Sequence, residues 1–394
     1  MALAAASCGA LVVAVLLLPG PRAPEPQAVA PGEAGELRLV VSVPRGGARR
    51  AQSDGVADAV RLAVEERGGR VTSGNLEYRV AVDVLDTADA DGSWSEAAER
   101  ANVERATSDP AVIAYIGPAT TAGARVVAPI AGRGGLIVIA PTLTAPGLTK
   151  RGYDDGLLEA VRPGGAKVIA RVVPPDDVQA TALASWLKET GRVPLAIGSD
   201  GSDVGDAGAA VLRQAARRAG VEVTEVADAR AKFAYLTGAS TSALADRAQA
   251  LRRERTEIAL GGSELLLASA FLERAKGAAD GAVATFVGRP VDRYLGAAGD
   301  FFRAYRDRFG HPPDPYAIFG YEAARLALDA VRRAGGSRRN VRDAVFATKE
   351  LRGALGTWGI DDAGDTTYAV TQLYLVRALP DGSFGWAWER EIRP

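Results

Sequence analysis

Val112-Ile113-Ala114-Tyr115-Ile116-Gly117-Pro118-Ala119-Thr120-Thr121 and, a helix length later, Leu136-Ile137-Val138-Ile139-Ala140-Pro141-Thr142-Leu143-Thr144 decide the fold class. Each begins as an apolar run without polar alternation, which is what a strand buried on both faces requires. Such strands sit in parallel sheets, and the Ala-rich stretch 121–132 between them supplies the crossover helix. Working outward, the same rhythm predicts strands at 37–43, 78–84, 168–173, 194–198, 221–226, 258–261 and 282–287. Helices are expected at 54–67, 95–108, 176–190, 203–219, 242–253, 264–276, 293–309, 315–334 and 339–348. The tail differs: 368–379 and 384–388 flank Asp381-Gly382, a hairpin signal that predicts an antiparallel edge. The expectation is an α/β protein with doubly wound parallel sheets.

Composition removes several function classes. Lys+Arg 47 against Asp+Glu 48 leaves no electrostatic footprint for a phosphate backbone, so nucleic acid is not expected as a partner. His311 and Cys8 are the single imidazole and thiol, which excludes a His/Cys zinc site, a disulfide and a Cys/His dyad. A Ser-His-Asp triad would have to recruit His311, which lies in Gly310-His311-Pro312-Pro313-Asp314-Pro315 with no adjacent nucleophile. Thr87-Ala88-Asp89-Ala90-Asp91-Gly92 has the centre of a calcium loop but lacks its first and last ligands. Gly198-Ser199-Asp200-Gly201-Ser202-Asp203-Val204-Gly205 lacks the P-loop lysine and reads as a turn in which Asp203 caps a helix. No catalytic residue, metal or cofactor is expected.

The N-terminus reads as a secretion signal. Residues 2–18 are nearly all apolar, and Ala28-Val29-Ala30 has the A-x-A pattern of a cleavage site. Residues 1–30 are therefore expected to be a signal peptide or N-terminal anchor, giving an extracytoplasmic protein that meets the membrane only through this segment. Ala5-Ala6-Ser7-Cys8 resembles a lipobox, but it precedes the apolar core that it should follow.

In a doubly wound sheet, ligand binds beyond the C-terminal strand ends, which directs attention to the loops after Gly117 and Ala140. The first carries Thr120 and Thr121 at a helix start, where unpaired N–H groups and the dipole favour an anion. The second carries Thr142 and Thr144. Thr also caps helices and makes turns without any ligand.

Ile113-Ala114-Tyr115-Ile116-Gly117-Pro118, Ala128-Pro129-Ile130, the segment from Gly135 to Pro141, Thr144 and Leu148-Thr149 together resemble extracytoplasmic type 1 solute-binding proteins. The group most resembled is the leucine/isoleucine/valine-binding proteins of ABC transporters. The resemblance continues through Arg171-Val172-Val173-Pro174-Pro175-Asp176-Asp177, Gly320-Tyr321-Glu322-Ala323-Ala324 and Gly356-Thr357-Trp358-Gly359-Ile360-Asp361. It implies two Rossmann-like lobes, 37–171 with 289–355 and 172–288 with 356–394, joined by three crossovers near Val172, Gly288 and Gly356. Ligand would bind in the cleft between the lobes, which close on it. The implied contacts to an α-carboxylate and α-amino group fall on Thr121, Thr142 and Thr144, with Thr120, Ser263 and Tyr316 as further pocket candidates. The implied function is delivery of a small polar solute, such as a branched-chain amino acid, to ABC permease subunits by a monomer. A ligand-sensing receptor ectodomain of the same fold is the alternative.

Two features depart from the family pattern. The loop after the first strand, Pro44-Arg45-Gly46-Gly47-Ala48-Arg49-Arg50, has arginines where an aromatic is expected. The second-lobe strand and loop that would supply a carboxylate for the ligand ammonium are read as deleted between Lys276 and Gly281. Glu264, after Gly261-Gly262-Ser263, reads as an acidic residue at a helix start, with a substitute ligand role as the second reading.

Overall fold

Apolar runs whose successive side chains enter opposite cores build two open sheets. In this computed structural model, residues 32–288, 290 and 293–394 are described, and the expected signal segment at 1–30 lies outside them. The first sheet comprises β1 (Gly32–Val43), β2 (Arg70–Ser73), β3 (Leu76–Asp86), β4 (Val112–Ile116), β5 (Ile137–Ala140) and β6 (Ile169–Arg171), in the order β2-β3-β1-β4-β5-β6. All its neighbours are parallel except the β2–β3 hairpin.

The second sheet uses β7 (Leu195–Ser199), β8 (Val223–Thr224), β9 (Phe233–Thr237), β10 (Ala259–Gly262) and β11 (Val283–Phe286). A separate hairpin, β12 (Leu351–Gly353) with β13 (Gly356–Trp358), precedes β14 (Thr371–Ala378) and β15 (Phe384–Ile392), which close the second sheet. Its order is β15-β14-β11-β10-β9-β7-β8, with β14 and β15 antiparallel at the edge as the tail predicts. The α/β class with two mostly parallel sheets thus agrees with the sequence reading.

Helices α1 (Arg50–Glu65), α2 (Glu96–Ser108), α3 (Thr121–Arg133) and α4 (Asp155–Val161) accompany the first sheet. Helices α5 (Asp176–Glu189), α6 (Asp203–Ala219), α7 (Thr241–Glu254) and α8 (Ser269–Ala275) accompany the second. Then α9 (Gly296–Phe309), α10 (Ala317–Ala334) and α11 (Arg338–Phe346) return to the first lobe. Alternation explains the layering: Leu39 and Val41 pack with Val60 of α1 and Leu328 of α10, while Val40 packs with Val103 of α2 and Val127 of α3. Gly320 lets α10 approach α1, since a Cβ there would lie 2.7 Å from the Val56 carbonyl oxygen. Ser95, Thr120, Ser202 and Ser240 cap α2, α3, α6 and α7 through their side chains.

Among the described residues the chain passes from the first sheet to the second after β6, leaves it between β11 and α9, and rejoins it between β13 and β14. Gly356, where the third crossover is expected, lies within the β12–β13 hairpin. Buried Glu322 of α10 holds that hairpin, accepting from the Ala354 N–H at 2.6 Å and from Trp358 Nε1 at 2.7 Å. Two further differences bear on the site. The strand β9 was not anticipated, and the expected helix 264–276 is broken at Ala268 into a 3-10 turn, Glu264–Leu267, and α8.

Candidate functional site

The strands β4 and β5 are parallel neighbours, so the loops that follow them leave the first sheet at one edge. Thr120 Oγ1 accepts from the Gly123 N–H at 2.9 Å, so that hydroxyl serves as the cap of α3. Thr121 begins the helix and Thr142 lies in the loop after β5; both are half-buried, and their hydroxyls have no partner among the described residues. Thr144, two residues on, reaches across to the second lobe. Its carbonyl accepts the Asp176 N–H at 2.9 Å, and its hydroxyl acts on the Asp176 carboxyl, holding its pKa down against burial.

The second lobe presents β9, β10 and β11 side by side, again in parallel. Tyr235 of β9 is buried, and its hydroxyl meets Thr285 Oγ1 of β11 at 3.0 Å. Where β10 ends, Ser263 Oγ caps the short turn by accepting from the Leu265 N–H at 3.5 Å. That geometry sets Glu264 just past the strand end, half-buried in the region that Asp176 also faces. Burial, and then the neighbouring charge of Asp176, pushes the Glu264 carboxyl up to about 7. Burial also raises Asp176, against the Thr144 hydroxyl and the more distant Arg171, which hold it down. No lysine or arginine forms an ion pair with either carboxylate among the described residues.

Tyr316, which precedes α10, stands edge-on to Phe286 of β11, with ring centroids 5.4 Å apart and planes at 63°. Its hydroxyl is pushed up by burial and then by the charges of Glu264 and Asp176. The arginine loop contributes one charge here: Arg49 acts on Tyr316, whereas Arg45 and Arg50 turn to Asp54 at 3.1 and 3.4 Å.

Thr144, Tyr316 and the Ser263-Glu264 step therefore converge between the lobes, with Thr121 and Thr142 on the same sheet edge as Thr144. Thr120 is committed to its helix. Asp176, Tyr235 and Phe286 join the site without having been singled out. Asp176 in Pro174-Pro175-Asp176-Asp177 reads as the acidic first turn of a helix, which it also is. Between Lys276 and Gly281, where a deletion is expected, the chain makes a 3-10 turn, Lys276–Ala279, and then enters β11. β9 adds a parallel strand to this lobe upstream of β10, and Glu264 stands just past the end of β10. The first-lobe edge thus offers threonine hydroxyls and the N-terminus of α3, and the second lobe offers Glu264, with Asp176 held against Thr144 and aromatic rings nearby.

Comparison with known proteins gives the following. The family described as receptor family ligand binding region matches residues 55–276, more than half of the chain. The family described as periplasmic binding protein matches residues 224–383. No functionally curated protein matches. A leucine-binding protein of Thermotoga maritima shares 21% identity and a TM-score of 0.69, over 91% of this chain and 99% of that one. A substrate-binding protein of an ABC transporter from Desulfitobacterium hafniense, solved with Leu, shares 20% identity and a TM-score of 0.67, over 89% and 100%. A solute-binding protein from Rhodopseudomonas palustris, solved with p-hydroxybenzoic acid, shares 15% identity and a TM-score of 0.70, over 91% and 97%. These likenesses show the fold.

Proposed function

Because the chain belongs to the receptor ligand-binding-region family, whose fold is that of solute-binding proteins, we propose that it is a non-enzymatic, extracytoplasmic subunit that closes around a small solute and hands it to an ABC permease. The observation that carries this reading is the opposed polarity of the cleft. Thr121, Thr142, Thr144 and the start of α3 suit a carboxylate, while Glu264, at the strand end of the second lobe, suits an ammonium, and Asp176, held against Thr144, adds negative charge beside it. An α-amino acid presents both groups, and Phe286, Tyr235 and Tyr316 offer its side chain an apolar wall. An aromatic acid, as bound by the Rhodopseudomonas protein, would leave two carboxylates in the cleft without a cation. A branched-chain or similarly apolar amino acid is therefore the favoured ligand. The segment 1–30 acts as export signal or anchor, and among the described residues no helix is long and apolar enough to cross a membrane.

The test is a thermal-shift screen of the amino acids and hydroxybenzoates, followed by calorimetric titration. A true ligand at 100 times its Kd adds about 2.7 kcal/mol of stability. A shift with hydroxybenzoates and none with any amino acid would overturn the amino-acid reading. The receptor match also supports a sensing ectodomain with the same cleft; uptake by proteoliposomes holding the permease separates transport from sensing.

A further inference from the structure

Arg171 ends β6, one residue before the first passage between the lobes, and it is fully buried. A guanidinium in that position has no water to donate to, so each of its five N–H groups needs a protein acceptor. Nε and Nη2 donate to Asp365 Oδ1 at 2.9 and 2.7 Å, and Nη2 also donates to Thr149 Oγ1. Nη1 donates to the carbonyls of Leu143, at 3.3 Å, and Ala145, at 2.8 Å. Those two carbonyls bracket Thr144, whose own carbonyl is taken by the Asp176 N–H. Three consecutive carbonyls of one loop are thus each held by a donor, two of them by one side chain.

Asp365 belongs to the 361–365 turn on the way to the third passage, and only 2% of its side chain is exposed. The turn is tied to β6 by the Arg171 N–H donating to the Gly364 carbonyl at 2.8 Å. The second oxygen of Asp365 accepts from Thr149 Oγ1 at 3.0 Å and faces Lys150 Nζ at 3.5 Å, and Lys150 in turn pairs with Asp177 of α5 at 2.6 Å. The chain of ion pairs runs from the third passage through the first lobe to the second.

We propose that Arg171, clamped by Asp365, is the positioning residue of the ligand-binding loop 142–145, so that a carboxylate outside the cleft sets the affinity inside it. Asp365 holds the guanidinium plane in the one orientation that points Nη1 at both carbonyls. Lys150, shared between Asp365 and Asp177 of α5, registers the second lobe against the same plane. The affinity consequence rests on the solute-binding function proposed above; the effect on the loop does not.

The experiment therefore begins without ligand. Amide hydrogen exchange is followed in peptides spanning 141–150 for the wild type, Asp365→Asn, the double variant Arg171→Met with Asp365→Leu, and the core control Val331→Ala. Asp365→Asn is expected to speed exchange in 141–150 at least tenfold more than in peptides from β4 or β9. Val331→Ala, compared at matched distance below its melting temperature, leaves that ratio unchanged. The double variant removes both charges and should regain most of the melting temperature, because apolar replacement of a buried pair restores packing. Its loop nevertheless continues to exchange fast, since the carbonyls of Leu143 and Ala145 have lost their donor. Calorimetric titration with L-leucine as probe is expected to show affinity at least tenfold weaker in both Asp365 variants. If the double variant recovers loop protection together with melting temperature, or if the loop exchanges fast while leucine affinity is unchanged, the positioning role is overturned. A wild type that fails to bind leucine counts against the proposed ligand, and the exchange ratios still decide this inference.

Discussion

Replacing Glu264 by Gln should make the ligand-free protein more stable and its cleft less able to bind. An ordinary glutamate titrates near 4.5, and in this cleft Glu264 is raised to about 7. The folded state therefore disfavours the ionised form, and the sign follows: stability is highest below the unfolded value and falls as pH rises toward the folded one. Between pH 5 and pH 8 the wild type should lose about 2–3 kcal/mol relative to a variant without this group, since one pKa unit corresponds to about 1.4 kcal/mol. Urea unfolding of the two proteins at both pH values reads this directly. Their difference should favour Glu264→Gln at pH 8 and shrink to under about 1 kcal/mol at pH 5. Binding should respond in the opposite sense. An ammonium beside Glu264 returns the carboxyl to its ordinary range, so affinity weakens about 100-fold from pH 8 to pH 5 in the wild type and little in Glu264→Gln. At pH 8 the loss of the charged contact weakens binding by about 1.5–3 kcal/mol. Equal stability of the two proteins at pH 8, or a stability gap that grows toward pH 5, would refute this account of the cleft.

Other predictions separate binding from folding. Thr144→Ala and Thr121→Ala should each weaken ligand binding by about 1–3 kcal/mol in calorimetric titration; unchanged affinity in both removes the carboxylate half of the site. Thr120→Ala should cost about 1 kcal/mol of stability through its lost cap and leave affinity nearly unchanged, as urea unfolding and titration on the same samples will show. Glu322→Ala strips the acceptor from two buried donors and should cost about 2–5 kcal/mol, with near-ultraviolet dichroism of Trp358 reporting release of the hairpin.

The sheets were legible because Val112–Ile116 and Ile137–Ala140 are apolar on both faces, a pattern that few other environments tolerate. The antiparallel tail was legible from its Asp381-Gly382 turn. Phe233–Thr237 was not, because Phe-Ala-Tyr-Leu-Thr lacks the Val/Ile enrichment that marks Val112–Ile116 and Ile137–Ala140 as strands. Glu264 and Asp176 were obscured for a different reason: an acid at a helix start already has a sufficient local explanation. What gives them a joint role is proximity between residues 88 positions apart, which no local pattern encodes. Arg171 carried no signal beyond its type, since its acceptors are backbone carbonyls and a carboxylate almost two hundred residues away.

The return of the chain to its first lobe has a consequence for synthesis. Leu39, Val41, Ile113, Ile137 and Ile139 point toward a layer completed by α10, which begins roughly 180 residues after β5 ends. At about 5–20 residues per second, that side of the sheet remains without α10 for roughly 10–35 s after β5 has been made. The second sheet waits in the same way for β14 and β15. Neither lobe can reach its native packing as a nascent fragment, so the order of the chain delays folding until nearly all of it has been translated. A polypeptide that must cross a membrane unfolded would gain time from that delay.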